Sequence, residues 1–293
     1  MEIISQLSAI VVPVFICVAF GVLWAKIGSP FDTGLITSLV YNIGVPCLIV
    51  ATFQKVTLDR TAMAEIALAS LACYASFTLA GFLLIRALRL ETASYLPALM
   101  FPLTGSMGLP VSYFAFGDPG LALAIVYFAF GTIGSFTVGA AIAEGKVTLR
   151  GILRIPVLYA VTIAVVMQLT GLRMPEWIFN TVNLLGGIVI PAQLVALGFS
   201  LLQLRVGGMA RSAFMGVFRL AMGVAVGFVI ADLFGLTGAA RAVVILQSAM
   251  PVAVSSYLFA EKFNRQPAEV AGMVVVSTAV SFVTLPFLLL LVL

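Results

Sequence analysis

Apolar residues run along this chain in ten long stretches separated by brief polar punctuation. The stretches cover residues 7–27, 35–53, 62–87, 93–116, 120–143, 152–170, 178–203, 212–234, 239–261 and 268–292. A helix needs roughly 20 apolar residues to cross a bilayer, and each stretch is of that order. Turn formers and charges stand between them, as in Gly28-Ser29-Pro30 and Gly117-Asp118-Pro119. The narrowest separation is Glu261-Lys262-Phe263-Asn264-Arg265, between segments nine and ten. The pattern predicts an all-α membrane protein of ten transmembrane helices joined by short loops.

Composition supports this reading. Of 293 residues, 62% are hydrophobic and 9% charged, against roughly 25% charged in an average soluble protein. No stretch is polar enough to form a soluble domain, so the lipid bilayer is the expected solvent. The formal charge of +4 would hint at nucleic acid in a soluble chain. Here no basic run is interleaved with aromatics, and nucleic-acid binding is excluded. Cys17, Cys47 and Cys73 fall inside apolar segments and read as small buried hydrophobes. Glu2 and the lack of a basic n-region do not suggest a cleaved signal peptide, so the first segment is expected to remain as helix one.

Lysine and arginine set the orientation. With the N-terminus outside, one side receives eleven basic residues, from Lys26 and Arg86 through Lys146, Arg150, Arg154 and Arg205 to Arg265. The other receives Lys55, Arg60, Arg173 and Arg241. The expected topology is N-out/C-out, which requires an even number of spans. Trp24 and Trp177 read as interface anchors. Glu65 and Asp232 read as interfacial acids, Asp232 being a candidate partner for Arg241. Arg219, in segment eight, is expected to snorkel to the cytoplasmic surface.

The two halves repeat. Pro13-Val14 and Pro156-Val157 stand 143 residues apart, Pro46 and Pro191 stand 145 apart, Pro110 and Pro251 141, and Ser135 and Ser281 146. Four landmarks in one order at a near-constant offset predict an inverted repeat of five helices plus five, because an odd number of spans makes the second half enter from the opposite face.

The equivalent segments four and nine are the interrupted ones. Thr104-Gly105-Ser106-Met107-Gly108-Leu109-Pro110 cannot hold a regular helix, and Pro110 is placed to start a second half-helix. Gln247-Ser248-Ala249-Met250-Pro251 interrupts segment nine in the same way. Broken backbone at membrane depth survives where it lines a cavity or is buried in protein. Each break exposes a half-helix N-terminus with free N–H groups and about half a positive charge. Two such ends meeting near the midplane suit an anion. The candidate substrate-binding residues are Asn42, Thr104, Gly105, Ser106, Gly108, Pro110, Gln247, Ser248, Met250 and Pro251. Gln193 is a polar group in an apolar helix that faces either the substrate or a neighbouring helix, and Ser135 and Ser281 read as packing positions. There is no His, and no Asp or Glu lies near either break, which favours a small organic anion as cargo and leaves a coupling ion undetermined. No zinc-ligand spacing or paired-Asp motif appears, so neither enzymatic chemistry nor a cofactor is expected. A sodium-coupled symporter is the alternative carrier, and a membrane-embedded enzyme or a channel the alternatives of another class.

The stretches Gln247–Pro251, Phe259-Ala260-Glu261-Lys262-Phe263-Asn264 and Ser281-Phe282-Val283-Thr284-Leu285-Pro286 resemble the C-terminal part of the auxin efflux carrier family. Met107-Gly108-Leu109-Pro110 resembles its helix four, and the bacterial branch matches in length and helix count. The resemblance implies a fold like that of the sodium/proton antiporters and bile-acid symporters, with two broken helices crossing at Pro110 and Pro251. It implies a scaffold of residues 1–54 and 152–206 and a transport domain of residues 55–151 and 207–293. It also implies an organic-anion cargo such as malonate or an auxin, and a homodimer. Where family members carry an Asn near positions 103 to 104, this chain has Leu103 and Thr104, and the long central loop of plant carriers is absent.

Overall fold

A computed structural model describes residues 2–28, 30–145 and 155–293, with residues 2–4 as backbone alone. Lys146, Arg150 and Arg154, three of the basic residues used for orientation, lie outside the described residues, as does Ser29 of the first loop.

The described chain is helical. The first half holds α1 (Glu2–Ile27), α2 (Thr33–Leu39), α3 (Val45–Lys55), α4 (Arg60–Ala87), α5 (Thr92–Met100), α6 (Leu109–Gly134) and α7 (Ala140–Glu144). The second half holds α8 (Pro156–Thr170), α9 (Glu176–Gly187), α10 (Val189–Gln203), α11 (Met209–Leu233), α12 (Gly238–Ser248), α13 (Val254–Lys262) and α14 (Pro267–Val292). Three π-helical turns are wound into the first half: Val40–Gly44 joins α2 to α3, Thr104–Gly108 leads into α6, and Ser135–Gly139 joins α6 to α7. Among the described residues there is no β-strand, only one isolated antiparallel bridge between Pro102 and Val252.

Seven helical stretches among the described residues are long and apolar enough to cross a membrane, and Pro156–Thr170 is a shorter apolar helix. One of the seven, Thr104–Glu144, covers parts of two expected segments. It turns at Gly117, whose backbone (φ 64°, ψ −156°) is open to glycine alone, so Gly117-Asp118-Pro119 does separate two helices. Expected segments four and nine are each split into short halves: α5 and the helix resuming at Thr104, then α12 and α13. The narrow separation at 261–265 is real. Asn264 (φ 54°) and Gln266 (φ 49°) reverse the chain between α13 and α14.

Large apolar side chains cover the outside. Phe20, Leu79, Leu184, Val283 and Phe287 are each at least 59% exposed, which only a lipid surface tolerates on this scale. Such a protein is an integral, multi-pass membrane protein. Lipid tails are as apolar as leucine, so close van der Waals packing, not hydrophobic burial, must hold these helices together. Glycines supply it. A Cβ on Gly21 would lie 2.0 Å from the Val195 carbonyl oxygen, and one on Gly198 2.0 Å from that of Val18. The backbones of α1 and α10 are therefore in direct contact. Helix α3 packs on α8 and α9, α11 packs on α4, α12 and α14, and α6 packs on α4 and α12.

Charges collect at the helix ends. At one end Arg211 pairs with Glu269 (3.1 Å), which also accepts from the Tyr95 hydroxyl, and Arg265 pairs with Glu91 (2.9 Å). At the other end Arg241 pairs with Asp232 (3.1 Å), as expected from the sequence, and Lys55 of α3 approaches Asp118 at 3.9 Å. Glu65, Asp232, Trp24 and Trp177 are all exposed, consistent with interfacial positions.

Candidate functional site

The two broken segments cross. Helix α5 stops at Met100, the chain runs extended through Phe101-Pro102-Leu103, and helix resumes at Thr104. Helix α12 stops at Ser248, and α13 begins at Val254 after Pro251-Val252-Ala253. The extended pieces pair antiparallel: the Leu103 N–H donates to the Pro251 carbonyl (2.7 Å) and the Ala253 N–H to the Phe101 carbonyl (3.1 Å). Pro102 sits where the pairing asks for no N–H from it, and the Val252 N–H donates to Ser277 Oγ (3.1 Å). Backbone that would be orphaned in lipid is thus satisfied from within the protein.

This geometry corrects the expected crossing. The partner of the Pro251 region is Pro102, not Pro110. Pro110 lies in the first turn of α6, beyond the π turn, in a helix already resumed at Thr104. Both breaks read Pro, three residues, then Ser: Pro102 to Ser106 and Pro251 to Ser255. That spacing was the available signal, and the two glycines beside Pro110 obscured it.

A cavity of about 640 Å³ opens on one side of the crossing, within the usual range for small-molecule sites. Asn42, Thr104, Gly105 and Ser106 line it, as expected, together with Pro102, Thr132, Gln193 and Ser255. Asn42 is held by its Nδ2 donating to the Ser38 carbonyl (2.9 Å) and Ser38 Oγ (3.0 Å). Ser135, read from the sequence as a packing position, is on the cavity wall within 3.4 Å of Ser255 Oγ. Ser281 does pack, donating to the Thr278 carbonyl (2.7 Å). All three π turns contribute wall residues, a placement common for such turns at functional sites.

The remaining candidates, Gly108, Pro110, Gln247, Ser248, Met250 and Pro251, are buried behind the wall and do not line the cavity. Gln247 donates from Nε2 to Ser112 Oγ (3.1 Å), and a Cβ on Gly108 would lie 2.2 Å from its Oε1, so it closes the packing between α12 and the start of α6. Ser248 Oγ meets the Tyr127 hydroxyl (2.9 Å) and Cys73 Sγ (3.4 Å).

The dipole ends at the crossing are treated unequally. The resumed helices present their N-termini, at Thr104–Ser106 and Val254–Ser255, to the cavity. The C-termini of the first halves point away and carry side-chain donors. Ser256 Oγ donates to the Pro97 carbonyl of α5 (3.3 Å). Arg219 donates from both terminal nitrogens to the Ser248 carbonyl at the end of α12 (3.3 Å each), with its guanidinium 4.5 Å over the Phe77 ring. Arg219 is 0% exposed. The snorkelling expected from the sequence does not occur, because a helix C-terminus within reach offers the cation a partner inside the protein. No Asp, Glu, Lys or Arg lines the cavity among the described residues.

A family model described as a membrane transport protein, that of the auxin efflux carriers, matches residues 140–289. The chain belongs to this family. A relative from Methanocaldococcus jannaschii, named as an uncharacterized transporter, is 22% identical over 192 residues. The aligned region is 62% of this chain, and the chain spans 62% of that relative's length. In this auxin efflux carrier family member the crossing with its adjoining cavity is the candidate substrate site.

Proposed function

We propose that the protein carries a small organic anion, a carboxylate such as malonate or an auxin-like acid, across the membrane by alternating access. The observation that carries this reading is the cavity wall: two half-helix N-termini face it and, among the described residues, no charged side chain does. Each N-terminus offers free N–H groups and a partial positive charge, and an anion supplies what both lack. With no acid on the wall, a cation-binding role has less support.

Ten spans arranged as two inverted fives fit the helix order, counting each broken helix as one crossing. The contacts α1–α10 and α3–α8 exchange under such a repeat, which supports it. In this reading segments one, two, six and seven form the scaffold, locked by the glycine contacts of α1 and α10. Segments three to five and eight to ten, tied by Arg211–Glu269 and Arg265–Glu91, slide against it as the transport domain. Under the N-out/C-out orientation the cavity is cytoplasmic, because its wall includes Thr33, Ile155 and Ser200, at helix ends beside the loops that orientation places in the cytoplasm.

Proteoliposomes are expected to take up radiolabelled malonate saturably. Ser106→Asp places a competing negative charge at the resumed helix and should cut uptake at least about tenfold while leaving the fold intact, since acids suit helix N-termini. Absence of saturable uptake across C2 to C6 mono- and dicarboxylates, or full activity of the Asp variant, would refute the anion reading. Orientation has its own check. In a background with Cys17, Cys47 and Cys73 replaced, Ser200→Cys and Ser255→Cys should react with a membrane-impermeant maleimide from the cytoplasmic side and not from outside. Labelling from outside alone would reverse the topology.

A further inference from the structure

Gln193 stands apart among the buried polar groups near the crossing. It is 6% exposed, lies on the cavity wall, and neither its Nε2 nor its Oε1 has a hydrogen-bond partner. The buried serines near the crossing are engaged: Ser248 with Tyr127, Ser256 with the Pro97 carbonyl, Ser277 with the Val252 N–H. Gln247 also has an unpartnered oxygen, but its nitrogen is held by Ser112 and it faces packed protein. A buried amide unpaired at both ends costs the free energy of its lost hydrogen bonds, and nothing in the packing of α10 requires a polar side chain at this position.

We propose that Gln193 is the specificity-determining residue of the anion site and selects carboxylates that also carry a hydrogen-bond donor, such as 2-hydroxy acids or half-protonated dicarboxylates. This rests on the anion reading above. A Cβ on Gly105 would be 3.6 Å from Gln193 Oε1, so the amide stands beside the first turn of the resumed helix, and both line the cavity a ligand would enter. A carboxylate seated at that helix end accepts from the helical N–H groups and from Nε2. It has nothing to offer Oε1, which only accepts. A hydroxyl, a protonated carboxyl or an N–H on the ligand supplies the missing donor. Exchanging the amide's O and N by a flip leaves this requirement unchanged, since both atoms are free.

Lactate and propionate differ only in the hydroxyl and serve as probes, titrated calorimetrically into the purified protein in detergent. The native protein should bind lactate at least about tenfold more tightly, the factor one ordinary hydrogen bond gives. Gln193→Met, close in shape and without the amide, should bind the two equally. Gln193→Leu gives the same test should the Met variant fold poorly. Native binding of both probes without discrimination, or a lactate preference that survives removal of the amide, overturns this inference alone. Failure of the native protein to bind either probe overturns this inference, and the anion reading falls with it only when malonate also fails to bind.

Discussion

Arg219→Met is expected to weaken anion binding about tenfold, with a smaller effect on stability. Arg219 is a fully buried cation without a carboxylate partner among the described residues; its contacts include the Ser248 carbonyl and the Phe77 ring. The C-terminus of α12 carries roughly half a negative charge. Left bare, it would set an unfavourable potential for an anion next to the crossing; the guanidinium reverses that sign. At an effective dielectric of about 20, a unit charge roughly 10 Å from an anion contributes about 1–2 kcal/mol, which is about tenfold in affinity. Stability responds less because two effects oppose each other. The Met variant forfeits a charge-assisted hydrogen bond and a cation–π contact, of order 2–4 kcal/mol together. It also relieves the desolvation of a buried charge, which is of similar size. Arg219→Lys keeps the charge and should bind within about threefold of the native protein. Calorimetric titration of the three proteins with one carboxylate decides the matter, and a Met variant with native affinity would remove Arg219 from the field at the site.

The largest loss of stability is expected from Gly198→Val and Gly21→Val. The new Cβ would meet a main-chain carbonyl oxygen at 2.0 Å in both cases, well inside the 3.5–4.0 Å of ordinary contact. No rotamer change relieves this, because the obstacle is backbone, so α1 and α10 must part along their length. Overpacking of this kind costs roughly 1–3 kcal/mol and often more when main chain must move. Gly187→Ala is the control: nothing lies within 4 Å of its Cβ position, and Ala is the better helix former. Thermal unfolding in detergent should show the two Val variants several degrees below native, or failing to accumulate, and the Gly187→Ala protein unchanged or raised. Equal melting of all four would mean that the α1–α10 contact is not a determinant of stability.

The membrane-spanning character, the helix boundaries and the existence of two interruptions were legible in the sequence because each is local. Hydropathy reports solvent, and Pro with Gly reports backbone that cannot stay helical. Which proline pairs with which was not local. Pro102 lies in a run, Leu99-Met100-Phe101-Pro102-Leu103, that reads as continuous apolar helix, and only the antiparallel pairing with Pro251 and Val252 marks it as the crossing. Arg219 was misread for a related reason: from its own helix it has no partner, and its acceptor comes from a carbonyl 29 residues away. The site divided along the same line. Asn42 and Thr104–Ser106, which line the cavity, sit at or near breaks visible in one segment. Gln247 and Ser248 sit equally near a break, but the three-dimensional packing turns them inward, toward Ser112 and Tyr127.

The three π turns give the cavity a property that straight helices would lack. Each holds one residue more than an α-helical turn, so part of the wall carries slack. Passing that surplus residue along the helix would swing Asn42, Ser106 or Ser135 about its axis by roughly 100°, without displacing either end of the helix or breaking its anchoring contacts. The lining can therefore be re-aimed residue by residue, like tumblers turning in a lock whose barrel stays still.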